Sequence, residues 1–552
     1  MSPTDGKTLA EKSLEHEFHS FFPPGYQSGK TKFIIVTGSV MSGVGKGTFT
    51  GALATLLSCH GLKVSPVKFD GYLNYDAGTL NPYRHGEVFV LEDGTECDLD
   101  LGSYERALHR NMTKDNYLTG GKIFKMILDK ERRGEYLGRD IQFIPHVTGE
   151  IKNFLRELAQ KTNADVVLVE VGGTIGDLEN SYFIEAMREL RYEEGKNNVA
   201  FINLTYIIEP GSLGEFKSKA AQIGLRQLMM LGVQPDIIIC RSQNPVPESI
   251  KEKVSIFGNV PINHVYNIYD FSNIYEIPLV LRDLGLDKEL FKILNLSPKE
   301  NKDSVLNFEN WENFVEKIKN ANKEITIAIV GKYTNVRDSY LSIVKSLEHA
   351  APYLGARVKI KWVEATDIED GKISVEEALK DVNGVIVPGG FGKRGVEGKI
   401  AAIKYVRENN IPYLGLCYGM QLAVVEFARN VCGLKTAHTT EVNPGTDCPI
   451  IDIIPEQKDK LEKSEIGGTM RLGAYPAKLK EDSITKKLYG KDVILERHRH
   501  RWELNPKFHK ILEENGIVLS GIYEERNLVE FIELPNHKFF VATQAHAEFT
   551  SR

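Results

Sequence analysis

The sequence has 552 residues, of which 42% are hydrophobic and 26% are charged, with a formal net charge of -6 at pH 7. That length exceeds what one hydrophobic core holds, so we expect two to four domains. The acidic balance argues against a nucleic-acid-binding protein, and no apolar run reaches the roughly 18 residues of a membrane span. The six cysteines show no C-x-x-C spacing, which indicates a reduced, cytoplasmic enzyme.

The first half of the chain alternates strand-like and helix-like segments. Residues 1–31 are polar and lack the apolar stretch of a signal peptide, so we predict a flexible N-terminal extension. A strand, "KFIIVTG" (32–38), is followed by a helix over 47–61 and a second strand, "LKVSPVKFD" (62–70). Further buried-strand patterns occur at residues 164–173, 201–211 and 234–242. This order predicts a parallel sheet in an α/β domain over residues 32–297.

A change of composition marks a boundary between two domains. Residues 298–324 are charged, rich in asparagine and poor in apolar runs, which is typical of a linker. A second alternation of strands and helices begins at "ITIAIVGKY" (325–333). It continues at residues 384–392, 411–421 and 539–549. The sequence therefore predicts a second α/β domain over residues 325–552.

The stretch "GSVMSGVGKGT" (38–48) is similar to a Walker A loop but departs from it twice. Val40 stands where the first glycine of G-x-x-x-x-G-K-[ST] belongs, and Gly47 stands where the Ser/Thr belongs. Glycines still let backbone N–H groups approach an anion, and Lys46 can reach the phosphates of a nucleotide. A tight turn without a ligand is the alternative. The predicted ATP contacts are Ser42, Gly43, Val44, Gly45, Lys46 and Gly47.

A magnesium ion would need ligands outside this loop, because Gly47 has no hydroxyl group. Magnesium takes one or two carboxylates together with phosphates and water. Glu170 lies in the strand-like "VVLVEVGG", where a Walker B acid is found. Asp100 lies in "ECDLDLG" (96–102), which we interpret as an acidic loop, with a solvated turn as the alternative. We predict that Asp100 and Glu170 bind the metal.

Three motifs of the second half together predict a Cys-His-Glu hydrolase. "GLCYGMQ" (415–421) is a nucleophile elbow that presents the thiol of Cys417 at the N-terminus of a helix. "QAHAE" places His546 and Glu548 where a base and its orienting carboxylate are needed. "PGGFG" (388–392) offers backbone amides for an oxyanion hole. Each motif alone has a structural explanation, whereas their combination favours catalysis.

Residues 32–552 resemble the CTP synthases over almost their whole length. The matching stretches include "VTGSVMSGVGKG", "KERRGEYLGRDIQFIPHVT", "VEVGGTIGDLE", "VPGGFGKRGVEGKI" and "ERHRHRWELN". The resemblance implies a P-loop-like parallel-sheet synthetase domain of the dethiobiotin-synthetase type, followed by a class I glutamine amidotransferase α/β domain. It also implies the reaction: ATP phosphorylates UTP on O4, and ammonia from glutamine hydrolysis, channelled between the domains, displaces the phosphate to give CTP.

The resemblance also assigns roles to individual residues. It implies that Lys68 and Asp70 face the phosphate-transfer site and that His85 lies where ammonia enters. It implies that UTP contacts Asp177, Leu178, Glu179, Lys217, Lys219, Gln222 and Lys253. It implies that glutamine is held around Cys417 by Gly390, Tyr418, Gln421, Glu441 and Arg501. GTP activation is expected near Arg394 and residues 467–473.

The partners implied by the resemblance are small molecules and further copies of the chain. Mg2+, ATP, UTP and glutamine are the expected ligands, GTP an allosteric activator and CTP a feedback inhibitor. A homotetramer is expected, with filaments left open, and neither nucleic acid nor a membrane is an expected partner.

Several positions depart from the pattern of the family. Ala220 and Ala221 replace Pro and Thr beside the triphosphate lysines, and Gly71 replaces a proline near the phosphate site. These departures leave open a paralogue that aminates the carbonyl of another nucleotide or heterocycle. A non-catalytic assembly or regulatory subunit is a remote alternative, because the residues predicted to do chemistry are all present.

Overall fold

The computed structural model describes residues 22–211, 215–300, 305–464 and 466–552. These residues divide into two compact units. The first unit comprises the described residues up to Asp76 together with Ser103–Val315, and the second comprises Ala77–Gly102 and Glu316–Arg552. Ala77–Gly102 therefore belongs to the second unit, although the sequence places it inside the first predicted domain.

Strands and helices alternate along both units. In chain order the strands are β1 Lys32–Gly38, β2 Val64–Asp70, β3 Phe89–Val90, β4 Glu96–Cys97, β5 Tyr117–Thr119, β6 Val166–Val171, β7 Val199–Tyr206, β8 Ile237–Ser242, β9 Val265–Tyr269, β10 Lys323–Gly331, β11 Ala356–Glu364, β12 Gly384–Val387, β13 Tyr413–Leu416, β14 Ala437–Thr439, β15 Cys448–Ile453, β16 Arg471–Leu479, β17 Val493–His500, β18 Trp502–Leu504, β19 Val518–Tyr523, β20 Leu528–Glu533 and β21 Phe540–Thr543. The α-helices are α1 Lys46–Cys59, α2 Pro82–His85, α3 Leu99–Leu108, α4 Gly120–Arg132, α5 Thr148–Thr162, α6 Ser181–Glu194, α7 Lys219–Met230, α8 Glu248–Gly258, α9 Ile277–Asp283, α10 Leu286–Leu294, α11 Phe308–Asn320, α12 Leu341–Tyr353, α13 Ala365–Glu369, α14 Val375–Ala378, α15 Val396–Glu408, α16 Tyr418–Asn430, α17 Pro455–Glu462, α18 Ile484–Tyr489 and α19 His509–Glu514. No helix of the described residues is long and apolar enough to cross a membrane.

The first unit is built on a parallel sheet, as the sequence predicts. Within the described residues its seven strands follow the order β5-β2-β6-β1-β7-β8-β9, and each neighbouring pair is parallel. The strands are buried almost throughout, which explains their continuous apolar runs. Phe33 and Ile35 of β1 pack with Ile151 and Leu155 of α5 in the core. Ligands of such sheets bind beyond the carboxyl ends of the strands, where the 38–48 loop follows β1.

The predicted N-terminal extension and linker are described only in part. Residues 1–21 of the extension lie outside the described residues. Further along, the Phe22 ring lies 4.1 Å from the Arg156 guanidinium, and Ser28 Oγ donates a 2.7 Å hydrogen bond to Glu194. In the predicted linker, α11 (Phe308–Asn320) is helical.

The second unit has a mixed sheet with a parallel half and an antiparallel half. Within the part of the chain that the structure describes, its nine strands follow the order β11-β10-β12-β13-β21-β20-β19-β16-β17. The first five are mutually parallel, and the pairs from β21 to β17 are antiparallel. A small second sheet joins β14, β15 and β18. Val387, Tyr413, Leu422 and Val425 contribute to the core between the main sheet and α16.

Ala77–Gly102 packs against β17 and the end of the chain. It contains an antiparallel hairpin of β3 and β4. Arg497 Nη1 donates a 3.1 Å hydrogen bond to the Val90 carbonyl, and the Phe89 ring lies 4.9 Å from that of Phe549. Glu96 Oε1 lies 2.8 Å from Arg499 Nε. This segment is therefore an integral part of the second unit.

Candidate active sites

The 38–48 loop combines a glycine-like backbone with a valine at the position that departs from the Walker pattern. Val40 has φ +78, a left-handed conformation that a β-branched residue rarely adopts. Gly43 and Gly45 also have positive φ, at +75 and +89. The loop thus keeps a left-handed turn where the Walker glycine stands, at the cost of backbone strain at Val40.

Lys46 is the first residue of α1 and is almost fully buried. Its Nζ donates a 2.6 Å hydrogen bond to the Gly173 carbonyl. A Cβ added at Gly38 would lie 2.9 Å from Lys46 Cδ, so the lysine side chain needs a glycine beneath it. The ammonium group is therefore held at the carboxyl end of the sheet, where a phosphate would bind.

Lys68 and Glu170 form a buried ion pair on adjacent parallel strands. They are register partners of β2 and β6, and Lys68 Nζ lies 2.8 Å from Glu170 Oε1. Tyr104 OH donates a hydrogen bond to the other carboxylate oxygen. Removing one member of a buried pair leaves an uncompensated charge and typically costs about 3–5 kcal/mol.

The chemistry of Glu170 suits a magnesium ligand, because Mg2+ prefers carboxylate oxygens and needs one or two of them beside phosphate and water. Within the described residues no group of three or more His, Cys, Asp or Glu could hold a metal. The prediction of an acidic loop at 96–102 is wrong. β4 ends at Cys97, and Asp100 lies in the first turn of α3, where the positive end of the helix dipole stabilises an acidic side chain. Asp100 as a metal ligand stays a prediction.

A cavity of about 150 Å³ opens at the carboxyl end of the first sheet. Gly38, Gly173 and residues 174–178 line it, including the predicted pyrimidine-binding Asp177 and Leu178. Asp177 Oδ2 accepts a 2.7 Å hydrogen bond from the Thr174 amide, whereas the Leu178 side chain is 83% exposed. Glu179 is exposed next to them.

Two of the departures from the family pattern in the first unit, Gly71 and Ala221, have packing explanations, whereas nothing in the structure explains Ala220. A Cβ at Gly71 would lie 2.6 Å from the Glu179 carbonyl oxygen and closer still to Asn180, so this backbone leaves no room for a side chain. Ala221 is fully buried in a cluster with Leu225 and Ile238. These residues therefore fit their surroundings in this chain.

The predicted triphosphate ligands lie around the start of α7 and on α8. Lys217 Nζ forms a 2.6 Å ion pair with Glu215, and Gln222 Nε2 donates a 3.1 Å hydrogen bond to Ser218 Oγ. Lys219 begins α7 and Lys253 lies on α8, both exposed. Their role in binding phosphate stays a prediction.

Cys417 occupies a strained turn between β13 and α16, as a nucleophile elbow requires. It has φ +52 and ψ -102, a conformation that non-glycine residues rarely adopt outside functional sites. Its amide donates a 2.7 Å hydrogen bond to the Thr543 carbonyl on β21, which fixes the turn to the sheet. The thiol is thereby presented at the N-terminus of α16.

His546 lies beside Cys417 and is oriented by Glu548. His546 Nδ1 lies 2.7 Å from Glu548 Oε1. The other ring nitrogen, Nε2, is therefore available to the Cys417 sulfur. Burial disfavours the charged ring, but the Glu548 carboxylate and Cys417 outweigh it and raise the pKa of His546 to about 10. The stabilisation from this pair is therefore complete below the unfolded pKa of about 6.5 and is lost as the pH rises through 10.

The 388–392 loop lies over the cysteine. A Cβ at Gly389 would lie 2.9 Å from His546 Cε1 and 3.5 Å from Cys417 Cβ, so the close approach requires glycine. The amides of Gly389 and Gly390 donate to no acceptor in the described part of the chain. Amides without a protein partner beside a nucleophile suit an oxyanion hole.

The cysteine opens into a cavity of about 470 Å³ within the second unit. Cys417 and His546 line one side, and Gly78, Pro82 and Val88 of the inserted segment line another. The inserted segment therefore supplies part of the wall around the nucleophile. His85, the predicted ammonia gate, ends α2 and is exposed, and it does not line this cavity.

The residues predicted to hold glutamine are only partly brought together. Gly390 lines the cavity, whereas the other four predicted residues are not among its described lining residues. Glu441 Oε1 accepts a 2.6 Å hydrogen bond from the Gly392 amide, and burial raises the pKa of Glu441. Tyr418 OH donates to the Gly392 carbonyl at 3.3 Å. These two side chains hold the 388–392 loop in this structure.

Gln421 and Arg501 bond to the protein itself. Gln421 Nε2 donates a 2.7 Å hydrogen bond to the Trp502 carbonyl, and its buried Oε1 has no recorded partner in the described part of the chain. Arg501 Nη2 donates to the Ile466 carbonyl at 2.6 Å and to Thr469 Oγ1 at 2.8 Å. Contact of either with glutamine stays a prediction.

Arg394, predicted to lie near a GTP site, donates hydrogen bonds to Tyr83 OH and to the Lys332 carbonyl. Tyr83 belongs to the inserted segment, and its ring lies 4.8 Å from that of Tyr333. Arg394 is thus tied to the wall of the glutaminase cavity.

Sequence reasoning missed three residues beside Cys417. Gln544 Nε2 lies 3.7 Å from the sulfur, and the Arg499 carbonyl lies 3.8 Å from it. Lys399 is buried behind the 388–392 loop. A signal for Lys399 was present, since it falls at a core position of the apolar stripe of α15 with Ile403 and Val406.

Replacing Glu548 with glutamine should lower the kcat for glutamine hydrolysis by up to about 10⁴-fold, because the imidazole loses the carboxylate that orients it. The pKa of His546 should fall, so the charged ring should be lost at a lower pH. Stopped-flow assays of glutamate release between pH 6 and pH 10 would measure both effects. The exposed Glu514→Gln is the control, and an unchanged pH profile in Glu548→Gln would contradict the assignment.

The two halves of the chain match different families. Residues 32–296 match the model described as CTP synthase N-terminus, and residues 335–552 match the model described as Glutamine amidotransferase class-I. The chain is 50% identical over 523 residues to the CTP synthase of Thermococcus gammatolerans, which covers 95% of this chain and 96% of that protein. It is 49% identical over 523 residues to that of Saccharolobus solfataricus, with 94% and 96% covered.

A solved structure, the Trypanosoma brucei CTPS glutaminase domain with bound acivicin, is 36% identical over 41% of this chain and 86% of that chain, with a TM-score of 0.38. The fold and the cysteine site, together with the matched models, define a ligase with a class I glutamine amidotransferase domain. Since relatives of about 50% identity span nearly the whole sequence, the chain belongs to the CTP synthase family.

Proposed function

We propose that this chain makes CTP from UTP, using ATP and the ammonia released from glutamine. The observation that carries the proposal is the arrangement of Cys417, His546 and Glu548 under a glycine loop with available amides. Membership of the CTP synthase family supports the same conclusion.

In the glutaminase half-reaction, the Cys417 sulfur attacks the side-chain carbonyl carbon of glutamine. The amides of the 388–392 loop bind the negative oxygen that develops there. His546 gives the proton held at Nε2 to the departing nitrogen, which leaves as ammonia when the C–N bond breaks. Water then cleaves the thioester, His546 takes up its proton, and glutamate is released.

In the synthetase half-reaction, the terminal phosphoryl group of ATP moves to O4 of UTP and ADP leaves. The carbonyl oxygen becomes a leaving group, so ammonia adds at C4 and phosphate departs. Lys46 and Lys68 supply positive charge to the transferring phosphoryl group. Magnesium held by Glu170 and Asp100 would neutralise phosphate charge when bound.

Regulation and assembly belong to the same proposal. We infer a magnesium requirement, activation by GTP, inhibition by CTP and a homotetramer from the resemblance to the CTP synthases. A reducing, cytoplasmic compartment suits the six free cysteines.

UTP is favoured as the acceptor over another nucleotide or heterocycle. Of the departures that raised the alternative, Gly71, Ala220 and Ala221, the first and the last fit close packing in this chain. Loss of catalysis in a regulatory subunit is disfavoured, because the predicted Cys417–His546–Glu548 geometry is intact.

The test is a CTP assay with two nitrogen sources. The protein is incubated with magnesium, ATP and UTP, with either glutamine or an ammonium salt, and CTP is followed by absorbance. CTP from both sources supports the proposal. Hydrolysis of ATP that needs an acceptor other than UTP would refute the substrate, and glutamate release without CTP would refute the synthetase.

A further inference from the structure

Lys399 is a buried lysine directly behind the 388–392 loop. It lies on the apolar face of α15 and is 1% exposed. Its Nζ donates a 3.1 Å hydrogen bond to the Pro388 carbonyl, which is its one hydrogen-bond acceptor within the described residues. Burial and the nearby charge of Lys332 lower the pKa of Lys399 to about 7, and its Nζ lies 5.5 Å from the centre of the Tyr418 ring. Burying this amine lowers stability, and its hydrogen-bond partner, Pro388, directly precedes the glycine beside Cys417.

The bond to Pro388 fixes the orientation of the next amide. In a trans peptide the C=O and N–H groups point in opposite directions. With the Pro388 carbonyl turned to Lys399, the Gly389 N–H points to the other side of the loop. Gly389 lies against Cys417 and His546, and its amide has no recorded protein acceptor in the described part of the chain.

Lys399 itself is separated from the substrate space. Pro388 and Gly389 line the cavity of Cys417, whereas Lys399 is not among its described lining residues. Lys399 therefore acts on the site through its hydrogen bond to the peptide between Pro388 and Gly389. Because the group binds a backbone carbonyl, mutation of the loop side chains would not reveal it.

We propose that Lys399 is a positioning residue for the glutaminase reaction, which by holding the Pro388 carbonyl aims the Gly389 amide at the acyl oxygen of glutamine bound to Cys417. The inference rests on the proposed glutaminase activity. It assigns to α15 a role in stabilising the transition state, although the helix does not touch the substrate.

Replacing Lys399 with methionine removes the donor and the charge at nearly constant volume. We expect the kcat for glutamine hydrolysis to fall by about 100-fold, since a donor misplaced by about 1 Å loses that much. KM for glutamine should stay within about twofold, because the lost interaction belongs to the transition state. Ammonia-dependent CTP formation should be unchanged.

Alkylation of Cys417 by iodoacetamide separates positioning from damage to the nucleophile. This reaction occurs at a saturated carbon and forms no oxyanion, so its rate at Cys417, followed by mass spectrometry, should be unchanged in Lys399→Met. The matched control is Lys404→Met, an exposed lysine on the same helix, which should leave every rate unchanged. Lys399→Arg keeps a charged donor and should recover about tenfold of the lost kcat.

The outcomes are distinguishable. If the wild-type chain does not hydrolyse glutamine, the proposed function fails first. If it does, a normal kcat in Lys399→Met, a loss confined to KM, an equal loss of alkylation or a lack of recovery in Lys399→Arg would each overturn the role of Lys399.

Discussion

Replacing Cys417 with alanine should abolish glutamine-dependent CTP formation while leaving ammonia-dependent formation intact. The sulfur is the attacking atom of the first half-reaction, and the loss of a nucleophile of this kind lowers kcat by about 10⁶-fold. The change removes one atom from a turn that the Thr543 carbonyl holds, so the second unit should stay folded. Coupled assays with glutamine and with ammonium chloride measure both activities.

The matched control is Cys432→Ala. Cys432 is a half-buried free cysteine just after α16, the helix that follows Cys417. Both activities of that variant should equal those of the wild type. Loss of the ammonia-dependent reaction in Cys417→Ala would contradict the separation of the two half-reactions.

Replacing Lys46 with methionine should impair the synthetase reaction and leave the glutaminase reaction intact. CTP formation should fall by about 10²- to 10³-fold with either nitrogen source, because the phosphoryl group loses a charged donor. Basal glutamine hydrolysis at Cys417 should persist. Glutamate release and ADP formation, measured in the same samples, distinguish the two effects.

Lys63→Met provides the control, since this exposed lysine lies just before β2, away from the 38–48 loop. It should leave ADP formation unchanged. Normal ADP formation in Lys46→Met would show that the 38–48 loop does not bind ATP.

The parts of the sites that the sequence could predict are those encoded locally. A nucleophile elbow needs glycines two residues before and two residues after the nucleophile, so the sequence around Cys417 is enough to predict it. His546 and Glu548 are two residues apart, and their 2.7 Å contact follows from that spacing. The parallel sheet of the first unit was predictable because fully buried strands leave continuous apolar runs.

The features that could not be predicted depend on contacts between distant residues. Glu96 forms an ion pair with Arg499, about 400 positions away. The sequence around either residue contains no pattern that predicts this contact. Lys399 falls on the apolar stripe of α15, which indicates that it is buried, but its hydrogen bond to the Pro388 carbonyl depends on how the helix packs against the loop. The acidic run around Asp100 favours a loop in the sequence and hides the start of α3.

The pairing of Val90 with Arg497 has a consequence during synthesis, since 407 positions separate the two residues. At about 5–20 residues per second, a ribosome needs about 20–80 s to cover that distance. The hairpin of β3 and β4 is thus synthesised long before β17. Its apolar Phe89 stays uncovered until Arg497 and Phe549, which pack against it, have been made. Completion of the wall around Cys417 therefore has to follow synthesis of almost the whole chain, although the hairpin itself is made among the first hundred residues.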